Sequence, residues 1–336
     1  MKLGVVVPCY RQERFLPRTV AALERALEGR DWQGALVLAA PSSDPLPGLS
    51  SHWQVIVPPD PPRGTAPAPL TPGGARMLGF GACGGEWVLF VDADVELERA
   101  WLDAALEAAG RAGAGRLAGL WGRLEDWFVT PEGERAGNPD LYGVGEGEGA
   151  VDYLATLAFY RREALAAAGG YDARLSSEED FELGLRLRGL GLELRSLAPM
   201  AARHWSAPRP SFGELGRRWR TGLCFGQGQV LRLYAGRPGF ATLLRRQELY
   251  LATLAMWVLG LAALVPALAG AGARPLLLWL ILPLALLAAM SLRKRSARLA
   301  VHSLLTWTLN GVGLLVGLVR SPRPPGSPLP AGEARC

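Results

Sequence analysis

Short apolar runs alternate with helical periodicities over roughly the first 190 residues. Residues 3–7 (Leu-Gly-Val-Val-Val) form an unbroken apolar run ending at Pro8, as expected of a strand buried on both faces. Phe15, Leu16, Val20, Leu23 and Leu27 recur at helical spacing and predict a helix over 13–28. A second apolar run at 35–40 gives way to loop residues, and Val55–Val57 marks a third short strand. The Pro-, Gly- and Thr-rich stretch 58–74 reads as a loop, followed by a helix over about 74–83. Trp87–Val91 is a strongly apolar strand, and 98–112 is an Ala- and Leu-rich helix. Residues 130–150, rich in Gly and Glu, predict a mobile surface loop near the site; 151–160 predicts another strand, and 178–189 a helix. Strands alternating with helices in this order predict an α/β domain with a mostly parallel sheet.

The pattern then changes. Residues 249–270, 275–292 and 299–319 are almost wholly apolar and hold no acidic residue. Each is about long enough to cross a hydrocarbon core of roughly 30 Å. Pro266 and Pro283 are tolerable inside such helices, and Gly313 with Gly317 supplies a small-residue contact stripe. Three such runs exceed what one soluble core would take. The expected organisation is a catalytic domain at 1–202, an Arg- and aromatic-rich interfacial segment at 203–247, a membrane domain at 248–320 and a flexible tail at 321–336.

Charge sharpens that division. The 336 residues carry net +5, and lysine occurs only at Lys2 and Lys294. Residues 203–246 hold nine Arg against one Glu, with Trp205, Phe212, Trp219, Phe225, Tyr234 and Phe240 interleaved. Beside membrane spans such a band meets anionic headgroups and not a nucleic acid. Arg245 and Arg246 precede the first span, and Arg293, Lys294, Arg295 and Arg298 separate the second from the third. The positive-inside rule therefore places the N-terminal domain in the cytoplasm, as part of a multi-pass inner-membrane protein. Arg320 and Arg323 oppose the resulting outward placement of the tail. The four cysteines, Cys9, Cys83, Cys224 and Cys336, lack metal-like spacing and fit a reducing compartment. The N-terminal apolar run is too short for a signal peptide's apolar core.

Two constellations carry chemistry. Strand 87–91 ends in Asp92-Ala93-Asp94, where an open α/β sheet binds its ligands. Carboxylates at i and i+2 can share one hard cation or its water shell; the plain alternative is a solvated turn. The second is Gly169-Gly170-Tyr171-Asp172, then Glu178-Glu179-Asp180-Phe181-Glu182-Leu183 and Arg186. Three acids opening a helix either complement its positive end or include a general base.

These segments together resemble family-2 glycosyltransferases with the glycosyltransferase A fold. The opening Val-Val-Val-Pro8-Cys9-Tyr10-Arg11-Gln12-Glu13 resembles the family's start, and Arg76-Met77-Leu78-Gly79 through Trp87 resembles the approach to its D-x-D strand. Gly170-Tyr171-Asp172 through Arg186 resembles its G-F-D…E-D-x-D-L…R segment; the likeness spans 3–222. It implies a Rossmann-like, mostly parallel α/β catalytic domain followed by C-terminal transmembrane helices. Pro8, Tyr10 and Glu13 would line the nucleotide pocket, Arg76 would neutralise donor phosphate, and Asp92 would face the ribose and metal region. Asp94, with Asp92 and His204, would hold Mn²⁺ or Mg²⁺. Asp180 would be the catalytic base, with Glu179 beside it. The implied reaction is inverting transfer from a nucleotide-sugar donor to a lipid-linked acceptor.

Two departures stand out. The family's acids after the second strand are replaced by Ala39-Ala40-Pro41-Ser42-Ser43-Asp44, so the base is not assigned. The proline-rich loop at 61–73 is longer than usual. Arg218-Trp219 matches the end of the Q-x-x-R-W motif of processive members, on the acceptor or membrane side, but Leu215 stands in place of Gln. Rival readings are a processive polysaccharide synthase and a degenerate donor-binding membrane scaffold. A nucleotidyltransferase is disfavoured, because no glycine-rich loop follows the first strand.

Overall fold

The computed structural model describes residues 1–39, 46–57, 70–112, 115–206 and 212–320, with the backbone of 333–335. The loop expected over 61–73 therefore lies mostly outside the described residues, as does the run Ala39–Asp44 apart from its first residue, Ala39. The chain divides into two compact units, residues 1–208 with 323–336, and residues 209–322.

The first unit opens with β1 (Leu3–Cys9), α1 (Leu16–Ala26), β2 (Trp32–Leu38) and β3 (Trp53–Val57). It continues with α2 (Pro72–Ala82), β4 (Trp87–Val91), β5 (Val95–Leu97) and α3 (Arg99–Ala112). Next come β6 (Leu117–Thr130), β7 (Gly133–Ala136), β8 (Gly149–Ala150) and β9 (Leu157–Arg161). The unit's last helices and long strand are α4 (Arg162–Ala167), α5 (Glu179–Gly189) and β10 (Glu193–Ser206).

The sheet runs β3-β2-β1-β4-β9-β6-β10-β5. Strands β3, β2, β1 and β4 are parallel, so their carboxyl ends share one edge. Strand β9 lies antiparallel between β4 and β6, and β10 pairs parallel with β6. The α/β architecture with its mostly parallel sheet is the one the periodicity predicts. All five residues of β4 are buried, as a strand covered by helices on both faces requires. Helix α2 starts cleanly because the Thr71 hydroxyl accepts the Gly74 N–H at 3.0 Å and Pro72 supplies a preset φ.

Residues 130–150 differ from the expected loop. The turn after Thr130 folds β7 back onto β6, and β8 pairs with β10. Backbone pairing there needs no apolar side chains, so low hydropathy concealed it.

The second unit contains α6 (Phe212–Arg220), α7 (Gly226–Leu233) and α8 (Phe240–Arg246). The three long apolar helices follow as α9 (Glu248–Leu268), α10 (Arg274–Lys294) and α11 (Ala297–Val319). All three are long and apolar enough to cross a membrane. Trp257 Nε1 donates to Thr308 Oγ1 at 2.9 Å and Trp279 Nε1 to the Met256 carbonyl at 2.8 Å, tying the three together through polar bonds. The glycine stripe is used within this unit, against the segment entering α7. A Cβ on Gly317 would stand 2.1 Å from the Phe225 carbonyl oxygen, so only glycine permits that approach. A last short strand, β11 (Glu333–Arg335), pairs antiparallel with β3 in the first unit.

Candidate active site

The turn after β4 carries Asp92 and Asp94 out of the sheet at the shared carboxyl edge. Three tethers fix it. The Asp92 N–H donates to the Thr156 carbonyl at 2.9 Å, and the Trp205 N–H donates to the Asp94 carbonyl at 2.7 Å. The buried Thr19 hydroxyl donates to the Ala93 carbonyl at 2.9 Å. Thr156 has φ of +63°, a left-handed conformation that is costly for a β-branched residue and collects at functional sites. Burial raises the Asp92 carboxyl to about 6, because the opposing pull of Arg76 only partly offsets desolvation.

Helix α2 delivers Arg76 into the interior, where it is 4% exposed. Its Nη2 donates to Asp92 Oδ1 at 2.9 Å and its Nη1 to Glu179 Oε1 at 2.6 Å. Asp180 Oδ1 lies 3.6 Å from the same Nη1, and the Tyr171 ring stands 5.2 Å from the guanidinium carbon. The guanidinium is thus wrapped by three carboxylates and one aromatic ring of its own chain.

The acids at 178–180 sit at the start of α5, with Glu178 in a left-handed conformation at φ +67°. Glu179 is buried against Arg76, whereas Asp180 retains partial exposure. Asp180 Oδ1 is buried without a hydrogen-bond partner among the described residues. Burial drives the Asp180 carboxyl well above the usual range; Arg76 opposes that shift, and Glu179, Asp92 and Glu178 reinforce it. The helix is anchored from behind, where Arg186 bonds Glu182 at 2.7 and 2.5 Å and also bonds the Ala168 carbonyl. Gly170 completes this turn at φ +71°, where a Cβ would meet Met77 Sδ at 2.5 Å.

Strand β10 contributes His204. Its Nδ1 bonds Asp126 Oδ1 at 2.9 Å, and its Nε2 lies 3.5 Å from Asp94 Oδ2. Burial works to lower the imidazole's pKa, but the two carboxylates outweigh it and lift the pKa to about 9. Gln12 Nε2 bonds Asp94 Oδ2. Asp94 Oδ1 is left buried without a hydrogen-bond partner among the described residues.

This donor set bears on a divalent cation. Among the described residues no three His, Cys, Asp or Glu side chains form a ready cage. The unsatisfied Asp94 oxygen and the adjacent His204 nitrogen fit a cation that draws its other ligands from water and a bound diphosphate, as Mg²⁺ and Mn²⁺ commonly do. Asp92 is adjacent but spends Oδ1 on Arg76.

The remaining predicted residues fall in two places. Pro8 is the penultimate residue of β1, and Tyr10 and Glu13 follow the strand at the same carboxyl edge, all partly buried. Arg218 and Trp219 lie on α6 in the second unit, where Trp219 packs edge-on against Phe225 at 5.2 Å and Arg218 lies beside the Cys224 thiol. Sequence reasoning missed Gln12, Asp126, Thr156 and Tyr142. The Tyr142 hydroxyl bonds Thr156 Oγ1, one step from the Asp92 tether. An acid at a core-facing strand position was the available signal for Asp126; Thr156 left none.

An open α/β sheet whose carboxyl edge gathers acids, an arginine and a histidine is an arrangement suited to group transfer. The chain carries a glycosyltransferase domain of a known family, since residues 4–169 match the model described as Glycosyl transferase family 2. Among solved structures it is similar to S. aureus TarS in complex with UDP-GlcNAc, at 18% identity and a TM-score of 0.46, over 66% of this chain and 64% of that one. A second TarS structure, in complex with UDP, matches at 20% identity and a TM-score of 0.45, over 62% of this chain and 61% of that one. The chain thus spans under two thirds of these relatives' length. No curated protein matches it.

Proposed function

We propose that this glycosyltransferase moves a sugar from a nucleotide-diphosphate sugar to a membrane-lipid-linked hydroxyl or phosphate acceptor, inverting the anomeric centre. One observation carries the reading. Of the two acids opening α5, Glu179 is buried against Arg76, while Asp180 keeps a partly exposed carboxylate with a raised pKa and an oxygen that lacks a hydrogen-bond partner among the described residues. A raised pKa in a partly exposed carboxylate suits a general base. Asp180 takes the acceptor hydroxyl's proton as that oxygen attacks the anomeric carbon, and no covalent sugar–enzyme intermediate is needed.

Pro8, Tyr10 and Glu13 line the nucleotide side of the carboxyl edge. Arg76, expected to neutralise donor phosphate, is instead engaged by Asp92 and Glu179 and acts as a positioning residue for the carboxylates around Asp180. Asp94 and His204 would hold Mn²⁺ or Mg²⁺, which would supply charge stabilisation to the diphosphate leaving group. The lipid acceptor is motivated by the three apolar helices of membrane-spanning length and the Arg-rich α6. The cationic stretch at 293–298 motivates a catalytic unit facing the cytoplasm.

The test pairs binding with turnover in the full-length protein. A thermal-shift panel of nucleotide-sugars, with and without Mn²⁺, should single out one donor, because ligand binding to the folded state raises apparent stability. Asp180→Asn should keep that shift while turnover falls by roughly 10²-fold or more. Survival of turnover in Asp180→Asn would falsify the mechanism. The absence of a shift with every nucleotide-sugar would remove the donor class.

A further inference from the structure

We propose that Asp126 is a positioning residue that fixes the His204 imidazole so that Nε2 is presented to a cation held by Asp94. The proposal rests on the reading of His204 as a metal ligand given above. Asp126 lies on β6 directly opposite His204 on β10, 78 residues away in sequence, and is 3% exposed. Its Oδ1 receives the His204 Nδ1–H at 2.9 Å and the Ser206 hydroxyl at 3.2 Å. With Nδ1 committed to Asp126, the other ring nitrogen points toward Asp94, whose Oδ2 is 3.5 Å away. A carboxylate behind a ligating histidine selects the tautomer and the ring orientation.

The pairing of these two strands is built for this juxtaposition. Leu197 stands opposite Gly122 but Ala202 stands opposite Leu124, so the four residues from Ala198 to Ala201 bulge against Arg123 alone. The bulge holds Pro199, which cannot donate to a ladder and is admitted at such irregularities. The register shifts by an odd number of positions, and strand side chains alternate faces. Without the bulge, His204 would be carried away from Asp126 and onto the opposite face. Asp126 is held independently of the histidine, since its N–H donates to the Asn138 carbonyl at 2.8 Å and its carbonyl accepts the Gly137 N–H at 2.7 Å.

The plain alternative is that Asp126 is only a buried counter-ion, and metal affinity separates the two roles. Full-length protein in detergent is titrated with Mn²⁺ alone, and free Mn²⁺ is followed by electron paramagnetic resonance. Second-sphere partners of this kind are worth roughly 10- to 100-fold in metal affinity. Asp126→Ala should therefore weaken Mn²⁺ binding about tenfold or more, with the circular dichroism spectrum of the wild type. Asp126→Asn, which keeps a carbonyl acceptor for Nδ1–H, should recover most of the affinity, and Asp126→Leu, which fills the site without an acceptor, should weaken binding as Asp126→Ala does and covers the case in which that variant fails to fold. His204→Ala should weaken binding at least as much as Asp126→Ala. If His204→Ala loses affinity while a folded Asp126 variant without an acceptor binds as the wild type does, Asp126 has no positioning role. If His204→Ala itself binds as the wild type does, the metal reading fails first, and the proposal goes with it.

Discussion

Replacing Arg76 with methionine tests the electrostatic logic of the site most directly. The wild-type guanidinium is nearly sealed from solvent and pairs with Glu179 at 2.6 Å and Asp92 at 2.9 Å. Methionine fills similar volume but removes the charge. Breaking a buried pair by deleting one partner typically costs about 3–5 kcal/mol, mostly from the stranded charge. Glu179, with 7% side-chain exposure, bears most of that cost, whereas Asp92 at 28% and Asp180 at 21% regain some hydration. We therefore expect the low end, about 3 kcal/mol. For a unit of this size that corresponds to a fall in Tm of roughly 6–12 °C.

The sign of the pH dependence follows from the stranded carboxylates. Asp180 already sits well above the ordinary range with Arg76 present, and losing the guanidinium removes the one influence that opposes the rise. A carboxylate with a raised folded pKa binds more protons folded than unfolded. Its unfavourable effect is absent below the unfolded pKa of about 4 and grows as pH rises toward the folded value. The Arg76→Met deficit should be largest at pH 8 and shrink on acidification to pH 5. Thermal scans of wild type and variant at both pH values provide the assay. Equal deficits at the two pH values, or a Tm within a degree or two of wild type at pH 8, would refute the assignment of Arg76 as a buried counter-ion.

Two further expectations concern backbone and topology. Gly85 has φ of +114°, and a Cβ there would stand 2.5 Å from the Gly4 backbone nitrogen, whereas Gly29 has φ of +75° with open space around it. Gly29→Ala should cost only the left-handed strain, about 1–2 kcal/mol, and Gly85→Ala clearly more by denaturant titration; equal costs would show that the clash is relieved. In the membrane unit, Ser296→Cys should react with an impermeant maleimide only from the cytoplasmic side, and Gly272→Cys only from the opposite side. The reverse pattern would overturn the orientation read from Arg293, Lys294, Arg295 and Arg298.

Strands β1 and β4 were legible because burial on both faces forces continuous apolar runs, and the three long helices because a length able to cross a membrane needs about 20 apolar residues in a row. Strands β6 and β10 were not. Strand β6 interrupts its apolar positions with Arg123, Glu125 and Asp126, and β10 breaks its alternation at the bulge holding Pro199. The site divided in the same way. Asp92, Asp94 and Asp180 are placed by local chemistry, a strand end and a helix start. Gln12 and Asp126 act through partners 78 or more residues away, and Thr156 through a strained backbone and its bond to Asp92, which no local pattern encodes. Asp92's tether to Thr156 is the shortest such link at 64 positions, still far beyond any helical or strand period.

The three consecutive acids at the start of α5 left two explanations open, complement to the helix dipole or catalytic base. Their geometry makes the explanations compatible. All three carboxylates lie where the helix N-terminus favours negative charge, and that field would treat them alike. The interior does not. Glu179 points inward and meets Arg76, Asp180 stands one position on with an oxygen lacking a hydrogen-bond partner among the described residues, and Glu178 takes the left-handed turn that aims the other two. A helix whose only need was capping would be served by one acid and would gain nothing from a strained backbone at its first turn. The strain is accounted for if the turn must seal one carboxylate against Arg76 and leave the next partly exposed beside it.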